Sequence, residues 1–291
     1  MKGKVIITGA SGGFGFLTSK LLAEQGYSVV GTMRSASGSR EAVANDLREA
    51  GVQVVEMDVT SNDSVQQGTA EAIELLGGLD IVINNAGVGV LGMQEHFTPE
   101  DFQKLFEVNV FGVQRLMREV LPHFRNQRSG TAVFVSSLLG RMTLPFYGPY
   151  NASKWALEAM AENYRTELSG FGIESCIVEP GGFPTTFMAN LLTPSDTSRI
   201  DVYGAFMDAP KMMFDGFEEA LANTPEQRPE IVAEAIADLL AQPFGQRAFR
   251  TVVDHMGMGD HIGPYNDMLH NLTRGIYTAF GTDGMLEIKT E

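Results

Sequence analysis

Seven short apolar runs, each separated from the next by a stretch of helical patterning, most restrict what this 291-residue chain can become. They are VIIT (5–8), YSVVGTM (27–33), VQVVEMDV (52–59), LDIVINNAG (79–87), TAVFVSS (131–137), IESCIVEP (173–180) and FRTVVD (249–254). Most are nearly continuous in apolar character rather than alternating, the pattern of strands covered on both faces. Strands joined through helices form parallel pairs with right-handed crossovers. The expected fold is therefore α/β, a doubly wound seven-stranded parallel sheet with helices on both faces. No Pro/Ser-rich linker, charge block or repeat divides residues 1–291, so a single domain is expected.

Helix signals fit between these runs. The first helix carries Leu17, Leu21 and Leu22, with Gly26 placed to end it. The fourth opens with Thr98 as N-cap, Pro99 at the first position, and Glu100 and Asp101 where the dipole favours negative charge. It is expected to continue through Phe102, Leu105, Phe106, Val110 and Val113. The fifth starts near Pro149 and is expected to bury Ala152, Ala156, Leu157, Met160 and Tyr164; a last helix spans Pro229 to Leu240. Residues 187–228 are long for a connection and rich in methionine and aromatics. They read either as a helical lid after strand six or as helices packed on the sheet edge. Residues 255–291 form a C-terminal tail.

Composition excludes several partners. A net charge of −15 repels a nucleic-acid backbone or an anionic membrane, so neither is expected as a partner. No segment approaches the roughly 18 apolar residues of a membrane span, and the run after MKGK is too short for a secretory leader. Cys176 is the only cysteine; no internal disulfide can form, a cytoplasmic location is expected, and the thiol reads as core packing. His255 and His261, beside Asp254 and Asp260, have ligand chemistry but read as solvated tail residues, and no metal is expected.

In a doubly wound sheet, ligands bind beyond the carboxyl ends of the strands, where strand order reverses. Four elements follow strands at that edge: the loop TGASGGFG (8–15), the NNAG turn, Ser136-Ser137 and the Pro180-Gly181 turn. In the loop, Gly9, Gly13 and Gly15 allow a tight turn and close backbone approach, while the following helix N-terminus offers N–H groups to phosphate. The same loop also matches the G-x-S-x-G elbow of a hydrolase. That reading lacks an HGGG-type oxyanion loop and would put its serine on the first strand. The loop is therefore read as a pyrophosphate cradle, with Ser11 and Phe14 as cofactor contacts. At the end of the second strand Met33 stands where an acid would accept bonds from a ribose 2′-hydroxyl, and Arg34 follows it. A guanidinium there forks onto a 2′-phosphate, so NADP(H) is expected over NAD(H), which remains the alternative; a solvated strand-end arginine is the plainer reading. Tyr150 and Lys154 are four apart on one helix face. The ammonium beside the phenol is expected to bring its pKa, ordinarily about 10, towards the working range.

TGASGGFG, NNAG, Asn109 in FEVNVFG, Ser137 in VFVSSLLG, YNASK and PGGFPT follow one another in the order and spacing of the short-chain dehydrogenase/reductase family, which this chain resembles from Lys4 to about Thr186 and more loosely through residues 228–240. The resemblance implies a Rossmann fold and assigns roles. Tyr150 is the general acid/base, Lys154 its partner and a ligand of the nicotinamide ribose, and Ser137 holds the substrate oxygen. Asn109 holds a water that relays protons. Ser137, thirteen residues before Tyr150, is preferred to Ser136 on that interval. Asp58 with Val59 would meet the adenine, and the Asn85-Ala86-Gly87 backbone the adenosine side. After Pro180 and Gly181, Thr185 would bind the carboxamide, with Thr186 as its rival. Plainer structural readings stay open: Asn84 and Asn85 tying strand ends, and Asp58 to Thr60 capping the next helix. The resemblance also implies a homodimer or homotetramer through the fourth and fifth helices, where Phe106, Phe111, Leu116, Trp155 and Met160 exceed one core's needs. SSLLGRMTLPFYGPYNASKWALEAM is loosely similar to the branch containing 17β-hydroxysteroid and retinol dehydrogenases. The expected function is an NADP(H)-dependent oxidoreductase acting on a carbonyl/secondary-alcohol pair, a hydrophobic ketone or aldehyde. A catalytically silent dinucleotide-binding regulator or scaffold is the alternative.

Overall fold

The structure is a computed structural model describing residues 2–289. Its strands are β1 (Lys4–Thr8), β2 (Ser28–Met33), β3 (Gln53–Glu56), β4 (Ile81–Asn84), β5 (Gly130–Val135), β6 (Ile173–Pro180) and β7 (Arg250–Val253). They form one sheet in the order β3-β2-β1-β4-β5-β6-β7, with every neighbouring pair parallel. The order reverses between β1 and β4, which pair Val5–Ile7 against Ile81–Ile83.

Successive strand residues point to opposite faces, and both faces are covered. Val5, Ile7, Ile83, Val133 and Val178 pack with Leu22 of α1 (Gly13–Glu24), Leu47 of α2 (Glu41–Glu49) and Ile236 of α9 (Glu230–Ala241). Ile6, Val82, Ala132, Phe134 and Ile177 pack with Val65 of α3 (Asn62–Leu76), Met117 of α5 (Gly112–Gln127) and Leu157 of α6 (Gly148–Leu168). This double covering is the physical reason that the strands read as unbroken apolar runs.

The fourth helix differs from expectation. Its start is as read: the Thr98 side chain accepts from Asp101 N, and the Asp101 carboxylate accepts from Thr98 N, a reciprocal cap on α4 (Pro99–Phe106). The α-helix does not run on through Val110, however. Glu107–Phe111 is a π-helical turn, and α5 resumes at Gly112. Such turns insert one residue per hydrogen-bonded ring and re-aim a side chain, here Asn109.

The buried stripe of α6 also differs. Ala152 is exposed, and Ala156, Met160 and Tyr164 are only half-buried; Tyr150, Ser153, Lys154, Leu157, Glu158 and Ala161 face inward. An apolar stripe cannot reveal this face, because most of what it buries is polar and finds partners on other elements.

Residues 187–228 carry α7 (Ile200–Tyr203) and α8 (Ala209–Ala222). This segment is stitched to the β4–α4 loop: Leu91 N donates to Leu192 O at 3.0 Å, and Leu192 N to Gly89 O at 2.9 Å. Ser195 N and Oγ donate to Asp101 Oδ2, so the cap of α4 also anchors the lid. The tail forms α10 (Gly259–Phe280), from which Asn266 Nδ2 donates to the buried Glu179 Oε2 at 2.5 Å.

Candidate active site

The carboxyl ends of β1 to β6 border one crevice of about 790 Å³. Its floor lies at the point of strand-order reversal, where the glycine loop meets the NNAG turn. Gly9, at φ +71°, approaches so closely that a Cβ there would lie 2.9 Å from Ala86 Cα; one on Gly15 would lie 2.4 Å from Gly9 O. Thr8 Oγ1 accepts from both Asn85 N and Ala86 N at 3.0 Å, and Asn85 Nδ2 donates to Thr8 O at 2.8 Å. Asn84 Nδ2 reaches Val133 O at 3.4 Å. Both asparagine side chains therefore tie strand ends, while Asn85, Ala86 and Gly87 line the crevice. Thr8 is a clasp that the sequence reading passed over.

The N-cap of α1 is Gly12, with no side-chain cap and no acidic residue in the first turn, so the N–H groups of this turn remain available to an anion. Ser11, Gly13 and Phe14 line the crevice beside them. A glycine cradle that a Cβ would fill, at a helix N-terminus on the switch point, fits a dinucleotide pyrophosphate. Met33, Arg34, Asp58 and Val59 continue the wall from β2 and β3. Asp58 does not cap α3. Its Oδ1 accepts from Thr60 N and Oγ1, while the cap is Ser61, whose side chain accepts from Ser64 N. Arg40, absent from the sequence candidates, returns to the crevice and donates from Nη1 to Ser11 O at 3.1 Å. Its only signal is a second arginine in the polar loop after Arg34.

At the other end of the crevice, Ser137, Tyr150 and Lys154 converge, 7%, 9% and 5% exposed. Ser137 Oγ accepts from Leu139 N at 3.1 Å, fixing the serine at the end of β5. Lys154 Nζ donates to Val135 O at 2.8 Å and lies 5.7 Å from the centre of the Tyr150 ring. Asn109 Oδ1 accepts from Val88 N at 2.9 Å, and its Nδ2 donates to Val88 O at 2.9 Å and Ser153 Oγ at 3.0 Å. A Cβ on Gly87 would lie 3.5 Å from Asn109 Oδ1 and 3.9 Å from Lys154 Nζ, so both atoms border one spot.

The charge states differ from expectation. Burial raises the Tyr150 phenol above its ordinary range; the Ser137 hydroxyl opposes this, and Tyr147 adds to it. Burial lowers Lys154 to about 8, with Glu158 opposing. The expected pull of the ammonium on the phenol does not prevail, because desolvation penalises each charged form and the ammonium donates to the Val135 carbonyl. The phenol is held protonated.

Pro180 and Gly181 turn the chain at the end of β6, and both following threonines reach the glycine loop. A Cβ on Gly13 would lie 3.7 Å from Thr185 Cβ, and one on Gly12 would lie 2.8 Å from Thr186 Oγ1. Phe187 then tilts over Tyr150 with ring centres 5.6 Å apart. Leu139 and Leu144, with Leu192, Met213 and Phe217 of the 187–228 segment, complete an apolar wall of the crevice.

Other candidates lie elsewhere. Cys176 is buried in β6, and burial pushes its thiol up to about 12, as for core packing. His255 N donates to Gln227 Oε1, and the neighbouring Asp254 accepts from Gly259 N and Gln227 Nε2. Of the five surplus apolar residues Leu116 is buried, Phe106 and Met160 are half-buried, and Phe111 and Trp155 are exposed at 44% and 41%. Among the described residues no helix is long and apolar enough to cross a membrane.

A doubly wound parallel sheet, a glycine cradle at its switch point and a Ser-Tyr-Lys cluster facing it define a dinucleotide-dependent oxidoreductase. The chain belongs to the short-chain dehydrogenase family, whose model matches residues 3–196, and such enzymes act on CH–OH or keto groups with NAD(P). It is 39% identical to a 3-ketodihydrosphingosine reductase of Bacteroides thetaiotaomicron over 186 residues, 64% of this chain and 66% of that protein. To retinol dehydrogenase 8 of Bos taurus it is 33% identical over 248 residues, 81% of this chain and 77% of the other. Among solved structures, an alcohol dehydrogenase from Thermococcus sibiricus complexed with 5-hydroxy-NADP superposes with a TM-score of 0.67 at 26% identity, covering 86% of this chain and 95% of that one.

Proposed function

We propose that this protein is an NADPH-dependent reductase of a hydrophobic ketone or aldehyde, and that Tyr150 is its proton donor. One observation carries the reading: Ser137, Tyr150 and Lys154 meet where an apolar lid wall faces the end of a glycine-lined dinucleotide cradle. When bound, the nicotinamide supplies the hydride to the carbonyl carbon. Tyr150, kept protonated by burial, gives its Oη proton to the carbonyl oxygen, and the Ser137 hydroxyl donates a hydrogen bond to that oxygen as charge develops on it. A raised phenol pKa favours this direction over oxidation, which needs the phenolate. Lys154 holds the ribose hydroxyls and, with Asn109 beside it at Gly87, passes protons towards solvent. Thr185 or Thr186 binds the carboxamide. The lid residues Phe187, Leu192, Met213 and Phe217 exclude water and favour an apolar substrate; the resemblance to a keto-lipid reductase and a retinol dehydrogenase supports that class.

The preference for NADP(H) over NAD(H) rests on Arg34 and Arg40 flanking the cofactor wall, with Met33 where a ribose-binding acid would stand. A homodimer or homotetramer through α4–α6 rests on the exposed Phe111 and Trp155, and sedimentation velocity measures it. A cytoplasmic location belongs to the same reading.

The test is NADPH oxidation with a panel of steroid, retinoid, long-chain aliphatic and small charged carbonyls. Turnover of the apolar members, lost in Tyr150→Phe with NADPH affinity retained, is the expected result. Unchanged turnover in Tyr150→Phe would end the mechanism, and a wild type that oxidises NADPH with none of these carbonyls would leave the silent dinucleotide-binding reading. Arg34→Ala and Arg40→Ala should each raise KM for NADPH roughly tenfold while sparing NADH; equal effects on both cofactors would remove the 2′-phosphate argument.

A further inference from the structure

We infer that Glu158 is a positioning residue that sustains the charge of Lys154, with Ser136 holding its carboxylate in place. The inference rests on the catalytic reading above but on different residues. Tyr150, Lys154 and Glu158 occupy successive turns of one face of α6, and all three are buried. The end of β5 addresses each in turn. Ser137 stands beside Tyr150, Val135 O accepts from Lys154 Nζ, and Ser136 faces Glu158. Ser136 Oγ and Glu158 Oε1 are both buried without a hydrogen-bond partner among the described residues and border one point: a Cβ on Gly140 would lie 2.8 Å from the first and 3.2 Å from the second. Ser136 lines the crevice beside Ser137, but its Oγ is buried near Gly140 and Glu158.

The remaining neighbours of Glu158 are charged. Its Oε2 accepts from Arg141 Nη2, on the loop after β5, at 2.6 Å and from Arg250 Nε, on β7, at 3.4 Å. The same two guanidiniums pair with Glu179 on β6 and with Glu162 one turn further along α6. Arg165 draws on Glu162 at the more exposed rim, and Asn266 of α10 donates to Glu179. Two guanidiniums therefore share three carboxylates in direct contact. Burial and Glu179 raise Glu158 to about 8 against the pull of Arg141, while burial lowers Lys154 to about 8 against the pull of Glu158. The Glu158 carboxylate, one helical turn from Lys154, thus favours the ammonium form against burial. Glu158 touches no substrate; it acts on Tyr150 through Lys154.

The experiment compares wild type with Glu158→Gln, Ser136→Ala and Glu162→Gln. It reads the pH profile of kcat/KM for carbonyl reduction and, without turnover, the titration of Lys154 Nζ by NMR of nitrogen-labelled lysine. The chain has seven lysines, and Lys154→Met assigns the signal. Glu158→Gln should move both the alkaline limb and the Lys154 midpoint to lower pH by about one unit, roughly tenfold in the ionisation constant. Ser136→Ala, which stops favouring the carboxylate form, should move both the same way by less. Glu162→Gln should leave them on the wild-type curve whatever it does to Tm. Should Glu158→Gln fail to fold, Ser136→Ala decides. Wild-type curves in Glu158→Gln and Ser136→Ala, or an equal shift in Glu162→Gln, would overturn the inference. A wild type that reduces no carbonyl would defeat the catalytic reading alone, since the NMR titration still reports the pairing.

Discussion

Replacing Gly15 with alanine tests the cradle most directly. The added Cβ would lie 2.4 Å from Gly9 O and 2.4 Å from Asn85 Nδ2, whereas a carbon–oxygen contact needs roughly 3.3 Å. Neither neighbour can swing aside: one is backbone, and the amide is pinned to Thr8 O at 2.8 Å. The start of α1 or the end of β1 must therefore move by about 1 Å, at an overpacking cost of about 1–3 kcal/mol. If the loop stays in place, the strain lowers stability. If it relaxes outward, dinucleotide binding must restore it, and Kd for NADPH rises about 5- to 150-fold. Urea unfolding and calorimetric NADPH titration together recover the sum. Gly12→Ala is the comparison, because its Cβ would meet only the Thr186 side-chain oxygen, at 2.8 Å, which can rotate away; it should lose less on both counts. A Gly15→Ala protein with the wild-type urea midpoint and the wild-type Kd would refute the claim that loop and turn are in contact.

Lys154→Met should abolish reduction yet raise Tm at pH 7. Lowering the ammonium from its ordinary 10.5 to about 8 corresponds to about 3 kcal/mol against folding while the group is charged in both states. Between pH 8 and 10.5 the folded protein sheds this proton first, so wild-type stability should rise with pH across that window and the variant should lose the rise. An unchanged Tm would show that burial of the ammonium costs nothing. Asp101→Asn should cost about 1 kcal/mol by weakening the α4 cap, and should raise KM for apolar substrates by loosening Ser195. Burial opposes ionisation of Asp101, but bonds from Ser195 and Thr98 outweigh it and lower its pKa. Its contribution is therefore full above the ordinary aspartate range and lost as pH falls through the lower folded value; acid unfolding curves of the two proteins should converge there.

Local chemistry alone determined the seven strands, the cap at Thr98, the glycine cradle and the Tyr150–Lys154 pair. Each is written in residues close together in the chain: an apolar run, a cap followed by proline, glycines at fixed intervals, two side chains one helical turn apart. Tertiary structure decided the rest. Ala152 looks buried by spacing but faces solvent, because α6 turns Ser153, Lys154 and Glu158 towards Asn109, Val135 and the Arg141–Arg250 pair, partners that no local pattern announces. Asn109 reaches Val88 and Ser153 only through a π turn that an apolar periodicity reads as plain helix. Arg40 finds Ser11 across 29 residues, and Phe187 finds Tyr150 through the lid. The charge of the central phenol follows the same division. Spacing announced its cationic neighbour, but burial of both groups, a property of the assembled sheet and lid, decided that the proton stays.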